Sequence, residues 1–138
     1  MINAIDHIGI AVKDLGAAVR TYESLLGLKC DRIEEVPGEK VKAAFFRVGD
    51  IHIELLQSTS EDGAIASFIR KKGEGIHHIA FQTTDIIDQL AHARKAGLRL
   101  IREHPTDGAG GKQIAFVHPA STHGALIEFC TLKVNPPH

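Results

Sequence analysis

The sequence predicts an α+β fold of two paired βαβββ modules, eight strands in all, and three observations carry that expectation. The first is an internal repeat. Ile5-Asp6-His7-Ile8-Gly9-Ile10-Ala11-Val12 resembles Ile76-His77-His78-Ile79-Ala80-Phe81-Gln82-Thr83, and His7 falls on His78 at an offset of 71 residues. The second is a pair of helix signals at that same offset. Asp14 and Asp85 each open an amphipathic stretch, where a carboxylate can accept from the free N–H groups of a first turn. Gly27 and Gly97 close the two stretches, as a left-handed C-cap requires. The third is a repeated hairpin. Phe45-Phe46-Arg47-Val48 before Ile51-His52-Ile53-Glu54-Leu55 resembles Ala115-Phe116-Val117-His118 before Ala125-Leu126-Ile127-Glu128-Phe129. Glu54 falls on Glu128 at an offset of 74, so about three residues were inserted in a loop of the second half.

Taken in order, the expected strands are 4–12, 28–35, 41–49 and 50–57, then 75–83, 98–103, 112–118 and 124–132. The expected helices are 14–26 and 85–96, with a short helix at 63–72 linking the halves and Gly73-Glu74-Gly75 ending it. The 138 residues suit one domain: module one about 4–57, the linker helix, and module two about 75–132. The loop His104-Pro105-Thr106-Asp107-Gly108-Ala109-Gly110-Gly111 is rich in turn formers and is expected to be mobile, and the tail Asn135-Pro136-Pro137-His138 to be frayed.

Composition narrows the function. The hydrophobic fraction of 43% fills an ordinary core, and a formal net charge of -1 with no basic stripe argues against a nucleic-acid binder. Cys30 and Cys130 have neither metal nor redox spacing, which suits free thiols in a reducing compartment. The N-terminal residues show no secretory pattern, and no apolar run is long enough to span a membrane. The expectation is a cytoplasmic protein. Nine histidines raise the prior for metal or acid–base chemistry only modestly.

Strand alternation sorts those histidines. Ile8, Ile10 and Val12 share one face of the first strand, and His7, Gly9 and Ala11 the other. Glu54 points away from Ile51, Ile53 and Leu55, His78 away from Ile79 and Phe81, and Glu128 away from Ala125, Ile127 and Phe129. Each of these four residues lies opposite a greasy strip. A carboxylate on an enclosed sheet face is costly unless paired or metal-bound. Alone, each would be read as an exposed strand residue. Together, at equivalent places in a repeat, they are explained by one shared divalent cation on His7, Glu54, His78 and Glu128. Nitrogen and oxygen donors without thiolate suit Zn, Mn, Fe, Co or Ni. His52 shares Glu54's face and is a pocket residue, a wrong-register ligand or simply exposed. His77 is expected to pack or bond outward, and His92 to lie on a helix surface. His104 and His123 fall in loops. His118, before Pro119, faces a pocket or braces a turn.

At these residues the sequence resembles the vicinal oxygen chelate (glyoxalase/bleomycin resistance/dioxygenase) superfamily, and within it most closely the methylmalonyl-CoA epimerase family. The resemblance runs from Ile5 to about Leu132. The ligand motifs carry the superfamily. Gly73-Glu74-Gly75-Ile76-His77-His78-Ile79-Ala80-Phe81 and Phe116-Val117-His118-Pro119 favour the epimerases. The resemblance implies an eight-stranded cupped mixed sheet with helices on its outer face, around one Co, Zn, Ni or Mn ion held by His7, Glu54, His78 and Glu128. It implies α-proton abstraction from an acyl-CoA substrate, methylmalonyl-CoA, through a metal-stabilised enolate, with Glu128 as both ligand and base. A homodimer is implied too, in keeping with exposed sheet edges. One departure stands out: Ala43 occupies the place where some family members carry a second acid. Glu39, a histidine near the rim or water is then left to reprotonate.

Two alternatives remain at this point. A glyoxalase I-type lyase acting on a thiol hemithioacetal uses the same four ligands. A non-catalytic small-molecule-binding protein of this fold generally lacks them. A ring-cleaving dioxygenase, with two histidines and one carboxylate on iron, fits less well, because the second Glu would fill a position it needs open.

Overall fold

The computed structural model describes residues 1–132; the Asn135–His138 tail lies outside the described residues. Eight strands of a mixed sheet and three α-helices follow one another as β1 (Ile2–Ala11), α1 (Leu15–Leu26), β2 (Arg32–Val36), β3 (Val41–Val48), β4 (Ile51–Ser58), α2 (Ala64–Lys72), β5 (Gly75–Thr83), α3 (Ile86–Lys95), β6 (Thr106–Asp107), β7 (Lys112–Val117) and β8 (Ile127–Leu132). The chain divides into two compact units, one of residues 7–78, the other of residues 1–6 with residues 79 onward. The division cuts through β1 and β5, between Asp6 and His7 and between His78 and Ile79.

In the unit of residues 7–78 the strands order as β2-β3-β4-β1. β2, β3 and β4 form an antiparallel meander, and β1 adds in parallel to β4. α1 begins where Asp14 accepts from the Ala17 N–H at 3.0 Å, and ends at Gly27, whose φ of 68° is the left-handed conformation anticipated there. A second anchor is the Leu15 N–H, which donates to Gln57 Oε1 at 2.6 Å. The helix covers one sheet face: Leu15 packs with Val12, Ala44, Phe46 and Leu55, and Val19 and Tyr22 close over them. The opposite face carries the row Arg32–Phe45–Glu54–Gly9 across the four strands, and the row Glu34–Ala43–Leu56–Ala11 beside it.

The other unit repeats the plan, in the order β5-β8-β7-β6. β8 is parallel to β5 and antiparallel to β7. α3 opens on Asp85, which accepts from the Asp88 N–H at 3.1 Å. It closes with the Gly97 N–H on Arg94 O and the Leu98 N–H on Ala93 O, the paired bonds of a Schellman end. Ile86, Leu90 and Ala93 pack on Ala115, Val117 and Phe129.

The expected strand at 98–103 does not form. Only Leu100 bridges to Val117, flanked by Ile101 N to Phe116 O and His118 N to Arg99 O. The chain then leaves the ladder. Arg94 takes the Glu103 carbonyl, and Pro105 has no N–H to give. Pairing resumes at Thr106–Asp107 against Ile114 and Gln113, inside the segment expected to be loop. Among the described residues no helix is long and apolar enough to cross a membrane.

Leu55 is fully buried under α1 and adjoins Glu54 in β4. Leu55→Ala is expected to cost about 2–5 kcal/mol, transfer and cavity terms together. Urea denaturation monitored by circular dichroism checks it, and an unchanged midpoint would contradict this packing.

Candidate metal centre

Three of the four anticipated donors meet within the unit of residues 7–78. His7 (β1), Glu54 (β4) and His78 (β5) are exposed by only 6%, 7% and 6%. Parallel pairing sets Gly9 opposite Glu54 and His7 opposite His52, so His7 and Glu54 share the face turned away from α1. Their side chains touch: His7 Nδ1 lies 3.0 Å from Glu54 Oε2. The other nitrogen of the same ring, Nε2, lies 3.0 Å from His78 Nε2, with the two rings edge to face.

That facing pair decides what the site can hold. Each neutral imidazole has one N–H and one lone pair. With the His7 proton on Nδ1, towards Glu54 Oε2, the Nε2 lone pair of His7 turns towards His78. Two nitrogens at 3.0 Å then need a proton or a cation between them. Two cis ligands bound at 90° with bonds of about 2.1 Å would stand about 3.0 Å apart, so the spacing fits an octahedral N-donor site. Burial favours the ligating, neutral form of the ring. Desolvation, helped by His7 and then His77, holds His78 well below the ordinary histidine pKa. Burial alone pushes His77 down to about 4.

Gly9 makes room for this pair. A Cβ on Gly9 would stand 2.3 Å from Cε1 and 2.7 Å from Nδ1 of His78. The contact is with a buried ring, so the clash could not be relieved by a flexible chain end. The small face noted in the sequence at His7, Gly9 and Ala11 is thus the seat of the second histidine.

Glu128 sits in the other unit, on β8, exposed by 4%. Its register partners are Ala80 and Phe116, and it faces away from the strip that α3 covers. The same unit holds a half-buried ion pair, Lys112 Nζ to Asp6 Oδ1 at 2.5 Å. Burial raises the Cys130 thiol pKa, and the nearby Asp6 and Glu128 carboxylates add to the effect. The Asp6–Lys112 pair has no local sequence signal, because its members lie 106 residues apart.

The remaining histidines separate by place. His52 sets its ring edge on Phe45 at 6.3 Å between centroids, and Arg32 lies 3.9 Å over that same Phe45 ring. His118 braces the turn at Pro119, its Nδ1 accepting from the Ala120 N–H. His92, His104 and His123 are exposed. His77 packs, as expected, but it also turns back to meet the ring of His78. Its ring stands edge to face with Phe68 of α2 at 5.0 Å, and its Nδ1 lies 2.9 Å from His78 Nδ1. Ala43 is buried, and its partner across the β2–β3 ladder is Glu34.

Residues 6–116 match the Glyoxalase/Bleomycin resistance protein/Dioxygenase superfamily. The chain belongs to it. Within this superfamily the chain is 35% identical to the ethylmalonyl-CoA/methylmalonyl-CoA epimerase of Cereibacter sphaeroides, over 93% of this chain and 97% of that one. It is 41% identical to the uncharacterized protein YqjC of Bacillus subtilis, over 96% of this chain and 94% of the other. Its structure superposes with a TM-score of 0.92, at 36% identity, on a Streptomyces coelicolor methylmalonyl-CoA epimerase variant in complex with 2-nitronate-propionyl-CoA, covering 99% of this chain and all of that one. The paired modules of the superfamily are the two βαβββ runs seen here, and the epimerases are the group to which the chain is joined.

Gly9→Ala is expected to destabilise the fold by about 1–3 kcal/mol, the usual cost of overpacking. The urea midpoint checks it. A variant as stable as the parent would mean that the His78 ring has room to move.

Proposed function

We propose that this protein epimerises methylmalonyl-CoA, inverting the carbon between the thioester carbonyl and the free carboxylate, with His7, Glu54, His78 and Glu128 holding one divalent ion. The observation that carries the reading is the pair of buried imidazole Nε2 atoms turned on each other at 3.0 Å, in a chain similar to epimerases along nearly its whole length. The whole described chain is then one vicinal-oxygen-chelate domain of two modules. The same reading takes the protein to be a cytoplasmic homodimer.

A divalent ion in this place supplies positive charge where the thioester oxygen gains negative charge as the α-proton leaves. The protein's own groups do the rest. Burial keeps His78 neutral, and His7 is buried beside it with Glu54 Oε2 3.0 Å from its Nδ1. Glu128, buried on an otherwise apolar stretch of β8, is the base that takes the α-proton from one face of the substrate, and inversion needs a proton delivered to the opposite face. Ala43 carries no exchangeable proton, so the second face of the substrate is served from elsewhere. Co, Zn, Ni and Mn all suit two imidazoles and two carboxylates.

In deuterated water the metal-loaded protein is expected to place deuterium at the α-carbon of methylmalonyl-CoA while interconverting its epimers, and chelator is expected to stop both. Glu128→Gln should lower turnover by about 10²–10⁴, the range for losing a general base, while metal content stays near that of the parent. Unchanged turnover in that variant would remove Glu128 from the role. Absence of exchange in the metal-loaded parent would remove the epimerase reading.

A further inference from the structure

We infer that His77 is a positioning residue, setting the proton of His78 so that the Nε2 lone pair of His78 faces the ion; this rests on the metal reading above. His77 and His78 are neighbours in β5, yet their rings meet at 5.2 Å between centroids and their Nδ1 atoms stand 2.9 Å apart. One nitrogen of such a pair donates and the other accepts. Four rings and groups therefore form one line: His77 Nδ1 to His78 Nδ1, His78 Nε2 to His7 Nε2, and His7 Nδ1 to Glu54 Oε2.

The line has two proton arrangements. Without a cation, His77 donates to His78 Nδ1, His78 Nε2–H donates to His7 Nε2, and His7 Nδ1–H donates to Glu54. Every contact is satisfied. To offer its Nε2 lone pair to a cation, His78 would carry its proton on Nδ1, and His77 would accept it with its own proton on Nε2. The change moves protons within rings and between ring nitrogens and adds none. His77 can take either part because an imidazole nitrogen can donate or accept. Phe68 fixes the plane of the His77 ring from α2, at 5.0 Å and nearly perpendicular. A ligating histidine commonly donates its far N–H to an outer partner, and loss of that partner weakens the metal about ten- to a hundredfold. His77 stands in that partner's place for His78.

Cobalt titration followed by absorbance, on parent, His77→Phe and His77→Asn, tests the inference. Phe keeps the ring beside Phe68 but has no nitrogen. Asn puts an amide oxygen and nitrogen near the place of Nδ1 and can accept or donate. Expected is a cobalt Kd about ten- to a hundredfold weaker in His77→Phe, and near the parent value in His77→Asn. Equal affinity in His77→Phe overturns the inference, as does equal loss in both variants, which would mark His77 as packing alone. A second measurement needs no variant: in the zinc-loaded parent, long-range proton–nitrogen imidazole spectra should show His78 protonated at Nδ1. Protonation at His78 Nε2 overturns the inference. A parent that binds neither cobalt nor zinc removes the metal reading itself, and the inference with it.

Discussion

The site depends on one constraint: two buried imidazoles point the same kind of nitrogen at each other, 3.0 Å apart. Lone pair against lone pair is repulsive, and proton against proton more so. Only an intervening proton or cation makes the arrangement stable, and Glu54 Oε2 lies 3.0 Å from the Nδ1 of the same His7 ring. Much of the surrounding structure serves this approach. Gly9 gives up its side chain so that the His78 ring can lie over β1. Parallel pairing of β1 with β4 puts Glu54 beside Gly9 rather than beside His7, so the carboxylate reaches the His7 ring from two residues along, on the same face.

Each unit keeps a helix-covered face and a donor face. Leu55 and Glu54 are adjacent in β4, and the first is sealed beneath α1 while the second is turned to the other side. Phe129 and Glu128 divide β8 in the same way, with α3 as the cover. Period-two alternation makes the greasy strip and the donor inseparable, because a slip of one residue would exchange them. The burial that anchors the helix therefore also fixes the register of the carboxylate. Burial of an unpaired charge would cost several kcal/mol, so a donor face this dry is tolerated only where its charges are matched.

This logic explains which parts were legible in the sequence. The repeat and the alternation located His7, Glu54, His78 and Glu128 as inward residues, since both depend on local spacing. The helix ends at Asp14, Gly27 and Asp85 were legible for the same reason. The strand at 98–103 was not, because its failure turns on Arg94 capturing the Glu103 carbonyl and on Pro105, a competition between separate elements. Alternation also placed His77 on the opposite face from His78, whereas the two rings meet. A signal for that exception was present in the repeat. His77 occupies the place of Asp6, and both precede a ligand histidine with a polar side chain that the fold partly buries.

Asp6 and His77 then answer the same demand with different chemistry. Each is a polar group drawn under cover one residue before a donor, and each has a partner from a distant segment: Lys112 for Asp6, Phe68 for His77. A charged residue in the place of His77 would need its own counter-ion in the unit of residues 7–78, as Asp6 needs Lys112. An imidazole needs none, since burial keeps it neutral. Neutrality has a second consequence. A carboxylate beside His78 Nδ1 could only accept, fixing one proton arrangement permanently. A second imidazole can donate or accept, so the pair remains fully bonded whether a proton or a cation lies between the Nε2 atoms. The duplicated fold thus supplies two equivalent positions, and the difference between them follows from what the neighbouring ring nitrogen must be free to do.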